Sequence, residues 1–260
     1  MVFPALPTIQ IQALLLVFAR VAGIVTAAPV LGSERVPIPI RVGLAFLVAV
    51  VLAPVTPVAS GAVPAGVLAF AAVAVKETAV GMLIGFVSNL VFLAIQMAGE
   101  FGDLQAGFGF AGMLDPTYQG RATVIGQFQN LVALLIFVGV NGHHLLLSGV
   151  VDSFNALPLG AVAIAPGVAN GLLGLASKML VMVIKISAPV VFSVLLADIA
   201  MGMVARTVPQ MNILVLGFPV KISLALITVF LGLPLFYAAT SSLCTTTMRQ
   251  AISGVLAAAR

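Results

Sequence analysis

Charge is what this sequence most lacks. Charged residues make up 7% of its 260 positions, against roughly 25% in an ordinary soluble domain. Eleven basic and seven acidic side chains cannot give a water-soluble globule its polar cover. A soluble enzyme is thereby excluded, and a composition that is 62% apolar excludes a disordered chain as well. Cysteine occurs once, at Cys244, so neither an intrachain disulfide nor a cysteine-based metal cluster can form. Tryptophan is missing, and only Tyr118 and Tyr237 could add to the interfacial aromatic belt of a multi-spanning protein. The net charge of +4 is scattered singly or in loose pairs, which excludes a nucleic-acid surface. No basic residue precedes Arg20, so a cleaved signal peptide is not expected despite Ala27-Ala28-Pro29.

With a mean hydropathy of +1.27, the chain must lie in a membrane or bury nearly all its surface against partners. Uncharged runs at 42–75, 78–99, 122–151, 153–177 and 222–248 each reach the ~20 residues that a spanning helix needs. The runs at 186–197 and 207–220 are shorter, and hydropathy alone predicts about six spans. Prolines at 54, 57, 64, 158, 166, 189, 209, 219 and 234 punctuate these runs. Each removes a helical hydrogen bond, so the helices are expected to be broken where they line a cavity or a subunit contact, with ordinary kinks as the alternative. Arg20, beside the first apolar run, is expected to face protein because lipid would not solvate it. Gly81 with Gly85, and Gly167 with Gly171, have the spacing of close helix contacts.

Asn141, His144, Ser148, Asp152 and Asn155 fall within an arc of about 80° when placed on a helix. Asn89, Gln96, Glu100 and Asp103 form a second stripe. Interhelical packing is the plainer reading of both, and a solute pathway is the other. Lys185 and Asp198 sit about 140° apart on a helical wheel with Pro189 between them, so each needs another partner, for which a second chain is a candidate. Arg206 joins them as a candidate subunit contact. His143 and His144 point about 100° apart and cannot hold one metal from a helix. HExxH, GxxxxGK[ST] and GxSxG are all missing, so no metal, cofactor or enzymatic chemistry is expected.

The segment 99–121, GEFGDLQAGFGFAGMLDPTYQGR, holds six glycines together with Phe101, Phe108, Phe110 and Met113, and Asp115-Pro116 favours a turn. Three phenylalanines do not suit a water-exposed loop, and lipid does not admit an irregular one. A flexible apolar loop projecting into a cavity, able to block ions by dewetting, is one solution. A loop packed between helices is the other. At the C-terminal end, Met248, Ile252, Val255 and Ala259 share one helical face, which reads as a short interfacial helix or an unstructured tail.

Four blocks carry a more specific likeness: ARVAGIVTAAPVLGSERVPIPIRVGLA at 19–45, GEFGDLQAGFGFAGMLDP at 99–116, NGHHLLLSGVVDSFNALPLG at 141–160 and ARTVPQMNILVLGFPVKI at 205–222. In these the sequence resembles the FliR family of flagellar biosynthetic proteins, shared with the type III secretion export apparatus; GFPVKI and NGHHLLL favour the flagellar branch. The resemblance implies an all-α integral membrane protein whose proline-broken hairpins assemble into a multi-subunit helical export-gate cone, much of it above the membrane plane. Residues 1–180 would be a FliP-like part with a plug loop at about 104–121, and residues 181–260 a FliQ-like hairpin and tail. Channel closure would fall to Gly107, Phe108, Gly109, Phe110, Gly112, Met113 and Leu114. Subunit contacts would fall to Glu100, Asp103, Asn141, His144, Ser148, Asp152, Lys185, Asp198 and Arg206. The implied function is a share in the protein-conducting channel that exports unfolded flagellar subunits. The implied partners are FliP-like and FliQ-like gate subunits, FlhB-like and FlhA-like export proteins, the secreted proteins and membrane lipid, with no nucleic acid and no cofactor. The implied location is the bacterial inner membrane at the flagellar basal body, crossed several times. A multi-pass transporter of a small solute and a non-conducting core of the basal body are the alternatives.

Overall fold

A computed structural model of the chain describes residues 8–33, 36–57, 64, 66–108, 123–161, 167–208, 210 and 213–258. The regular elements of these residues are helical: α1 (Thr8–Ala27), α2 (Ile38–Leu52), α3 (Val67–Ala106), α4 (Val124–Gly139), α5 (Gly142–Ala156), α6 (Gly167–Thr207), α7 (Ile213–Leu231), α8 (Leu233–Ser242) and α9 (Met248–Ala258). One π-helical turn, Leu243–Thr247, joins the last two. Among the described residues, four segments are long and apolar enough to cross a membrane: Gln10–Ala27, Ile38–Val55, Val67–Ala106 and Ala169–Thr207. Counting the broken pairs α4–α5 and α7–α9 as one span each raises the number to six. By length and composition this is a multi-pass membrane protein.

The chain packs into two compact units, each discontinuous in sequence: 1–90 with 141–176 and 245–260, and 91–140 with 177–244. In the first unit, α1 meets the early turns of α3 along small residues. A Cβ added at Gly81 would strike the Arg20 carbonyl, and one added at Gly85 would lie 2.6 Å from the Ile24 oxygen. That Gly81–Gly85 face therefore serves the backbone approach that its spacing predicts. Nothing presses on Gly171. Pro37 is the N-cap residue of α2 and Pro39 stands in its first turn, where a fixed backbone angle fits and no donor is needed. It buries Ala45 and Ala49 and leaves Ile38, Ile40, Phe46, Leu47 and Val51 exposed. Between α1 and α2, Val30 stands at φ 69°, with the Leu31 N–H donating to the Pro29 carbonyl across it. Arg41 anchors this turn by donating to the main-chain oxygens of Ser33 and Val36.

The second unit gathers Ala106, Ile125, Val190, Val194, Ala225 and Val229 into one core, with Phe108 and Phe128 packed against it. Phe92 meets Phe137 edge-on at 5.4 Å. The Thr228 hydroxyl donates to the Leu224 carbonyl and lies 3.0 Å from the Ser193 hydroxyl, tying α7 to α6.

The expectation that proline breaks the helices needs correction. Helices α6 and α7 run straight through Pro189 and Pro219; one missing hydrogen bond does not end a helix held by many others. The chain breaks instead near Pro54, Pro57, Pro158 and Pro234, and at Val140–Asn141, inside a run that contains no proline. There Asn141 adopts the left-handed conformation at φ 57°, which a short polar side chain tolerates. Of the two readings of the C-terminal stretch, the helix is the one observed: Met248, Ala251, Ile252 and Leu256 are buried, and Ala251 packs with Val87 of α3.

Candidate functional site

Helix α3 stops one residue before Gly107. The Phe108 N–H donates to the Asp103 carbonyl at 3.1 Å and the Gly107 N–H to the Leu104 carbonyl at 3.3 Å. Gly107 stands at φ 91°, and together these bonds form a Schellman termination. A side chain is barred there twice, by the backbone angle and by the Phe218 ring, 2.7 Å from where a Cβ would sit. Phe108 then turns into the core of the second unit. Of the residues expected to close a channel, Gly107 and Phe108 are thus the last two before residues 109–122; Gly109, Phe110, Gly112, Met113 and Leu114 lie outside the described residues.

Helix α4 starts on the other side of that segment. Its N-cap residue, Thr123, makes no side-chain cap bond. The first-turn donors are met by Asp103: its carboxylate accepts from the Ile125 N–H at 2.9 Å and from the Gly126 N–H at 3.0 Å. This is what an N-cap side chain does for the second and third helical residues, here performed across 22 residues. The negative charge also suits the positive end of the α4 dipole. Glycines make the approach possible. A Cβ on Gly99 would lie 2.7 Å from the Gly126 nitrogen and press on its Cα. Asp103 is itself buried, while the neighbouring Glu100 is half-buried and accepts from the Gln96 amide at 3.1 Å.

A second buried charge cluster lies in the first unit. Arg20 and Glu77 are both fully buried and pair at 2.5 Å. The Arg20 Nη1 donates to the carbonyls of Ser153 and Leu157 at the end of α5, at 3.0 and 2.9 Å, and the Ser153 carbonyl also takes the Leu157 N–H at 2.9 Å. Its guanidinium stacks 4.4 Å from the centre of the Phe154 ring. Glu77 also accepts from the Gly160 N–H at 2.9 Å. Arg20 faces protein, as its cost in lipid requires. Glu77 was missed: it sits 57 residues away, and the sequence marks it only as a boundary between uncharged runs.

The remaining candidates scatter. Asn141, His144, Ser148, Asp152 and Asn155 all lie exposed along α5 and its start. Asp152 and Arg249 line a common cavity of about 340 Å³ between α5 and α9 without forming an ion pair. Lys185 is exposed and lines a mostly apolar cavity of about 270 Å³ in the second unit. Asp198 finds its partner within the same chain, pairing with Lys221. Arg206 is exposed in the last turn of α6, where a cation suits the helix dipole.

Residues 11–247 match the family described as bacterial export proteins, family 1. The chain is similar to the flagellar biosynthetic protein FliR of Bacillus subtilis (strain 168), 36% identical over 223 residues that cover 83% of each chain. It is 31% identical to the FliR of Escherichia coli (strain K12) over 209 residues, 80% of this chain and 78% of that one. The FliR of Pectobacterium carotovorum is 30% identical over 221 residues, 84% of this chain and 83% of its own.

Proposed function

This chain belongs to family 1 of the bacterial export proteins, the family of the flagellar biosynthetic protein FliR, and from that premise we propose that it forms part of a protein-conducting export gate. The gate lies in the bacterial inner membrane at the flagellar basal body and passes unfolded flagellar subunits. The segment at about 104–121, with Gly107, Phe108, Gly109, Phe110, Gly112, Met113 and Leu114, forms a plug that keeps ions out at rest and is displaced by the exported chain. FliP-like and FliQ-like subunits complete a conical assembly, in which residues 1–180 take the FliP-like place and residues 181–260 the FliQ-like one. FlhB-like and FlhA-like proteins dock to it.

One observation carries this reading. The described residues on the two sides of the glycine- and phenylalanine-rich segment are joined by the Asp103 carboxylate, which caps the start of α4, and between them lies a sequence with an apolar, glycine-rich body. Such a body blocks hydrated ions by excluding water and still yields to a polypeptide. The exposed apolar side chains of α2 and the exposed polar residues of α5 fit a chain that buries much of its surface against other subunits. Replacing Phe108, Phe110 and Met113 together by Ala tests the reading. With the full set of export proteins present, ion leakage across the membrane should rise while the chain remains in place. Unchanged leakage would refute the plug.

A further inference from the structure

We infer that the cavity of the second unit binds one anionic phospholipid, whose acyl tail lies along its apolar wall and whose phosphate rests on Lys185. The inference stands apart from the plug and needs only that the chain lies in a membrane. The cavity holds about 270 Å³ and is walled by α4, α6, α7 and α8, mostly with apolar side chains. Its charge has one sign: among the described residues, Lys185 is the one charged side chain in the wall. Lys178 lies seven residues earlier on α6, about 20° away on a helical wheel, and both lysines are exposed. Neither joins an ion pair among the described residues, and before Asp198 helix α6 carries no acidic side chain.

This layout has a head and a tail. Lys178 and Lys185 mark one end with positive charge, and basic side chains near a membrane surface attract anionic headgroups. From Lys185 the wall continues along α6 through Ile186, Pro189 and Val190, which suits an acyl tail. Entering the cavity gains that tail little, because lipid is as apolar as the wall. Selection therefore falls to the phosphate. Two acceptors favour a lipid over the apolar face of a neighbouring helix. Gln129 lines the cavity, more than nine-tenths buried, and its Oε1 has no partner among the described residues. Pro189 brings no N–H to the Lys185 carbonyl. An apolar helix laid over the cavity would leave both acceptors without donors. A phospholipid carries the water of its headgroup region with it, and bridging water meets such groups.

The chain contains no tryptophan, so a single introduced one reports on its own surroundings. Leu235→Trp places the reporter in the cavity wall, where Leu235 is 66% exposed. Leu47→Trp, on the exposed face of α2, is the control. The full chain is reconstituted in phosphatidylcholine vesicles containing increasing brominated phosphatidylglycerol or brominated phosphatidylcholine, and quenching of the tryptophan is read. At position 235 phosphatidylglycerol should be preferred about fivefold, the equivalent of about 1 kcal/mol for one lysine; at position 47 the two lipids should quench alike. Adding Lys185→Gln to Leu235→Trp should remove most of the preference while phosphatidylcholine still quenches, and Lys185→Arg should keep it. Equal quenching by the two lipids at position 235 would reduce the cavity to ordinary lipid contact and overturn the inference. A preference that survives Lys185→Gln would overturn the role of the lysine. Absence of quenching by either lipid, in the chain alone or once the other export proteins are added, would show protein in the cavity and overturn the site.

Discussion

Removing either member of the Arg20–Glu77 pair should be among the most damaging single changes in the chain, and the two members should not cost the same. Both side chains are fully buried, and breaking such a pair from one side typically costs about 3–5 kcal/mol because the other charge is left bare. That corresponds to a fall of roughly two to three and a half powers of ten in the ratio of folded to unfolded protein. The chemistry of what is left behind sets the order. Arg20→Leu leaves a carboxylate that can take up a proton and lose its charge, whereas Glu77→Leu leaves a guanidinium that cannot give one up. Glu77→Leu should therefore be the worse of the two. Arg20→Met with Glu77→Met removes both charges and should recover most of the loss. It will not recover all, because the Leu157 carbonyl and the Gly160 N–H lose their partners, at about 1 kcal/mol or more each. Thermal midpoints in mild detergent, read beside the chain's level in membranes, measure all three. The reasoning fails if either single variant matches the parent, or if the double variant is worse than both singles.

Further predictions follow from backbone contacts. Gly81→Ala drives a methyl group into the Arg20 carbonyl and should cost about 1–3 kcal/mol, whereas Gly43→Ala on α2, with nothing within 4 Å, should gain about 0.5–1 kcal/mol. Equal thermal midpoints for the two variants would remove the argument from close helix approach. Gly107→Ala, at φ 91° and against Phe218, should lower the midpoint by the equivalent of at least about 1 kcal/mol and raise resting ion leakage. Val30→Gly should stabilise the α1–α2 turn by about 1 kcal/mol, since a β-branched residue at φ 69° is strained; a lower midpoint would show that the valine side chain does more than the strain costs.

Much of the fold was legible because the membrane leaves so few choices. Low charge, long apolar runs and missing soluble motifs were enough to reach a multi-pass helical protein, and an isolated Arg20 had to be sheltered. What could not be read were pairings over long separations. The 3.6-residue period placed Asp103 in a stripe with Asn89, Gln96 and Glu100, but a carboxylate on the last turn of a helix can reach beyond its own face. Nothing in local spacing connects residue 103 to residue 125, or residue 20 to residue 77. Proline was overweighted as a breaker at positions 189 and 219, since packing along a helix of 41 residues outweighs one absent donor. The break at Asn141 did carry a signal, the sequence Gly139-Val140-Asn141-Gly142. Two glycines flanking a residue that accepts left-handed geometry mark a stop as well as proline does. The polar residues of α5 lie exposed, and one chain alone does not say what lies against them.

The distance along the chain between Arg20 and its partners also sets a schedule for biosynthesis. Glu77 is made 57 residues after Arg20, and at about 5–20 residues per second this takes roughly 3–11 s. Ser153 follows 133 residues after Arg20. Throughout that wait the guanidinium lacks the partner it has in the folded chain, and a bilayer would reject it. α1 must therefore linger beside the insertion machinery, or in water, until α3 arrives to neutralise it. Nascent chains arrested before residue 77 should cross-link to that machinery through α1, and chains arrested well beyond α3 should have let go.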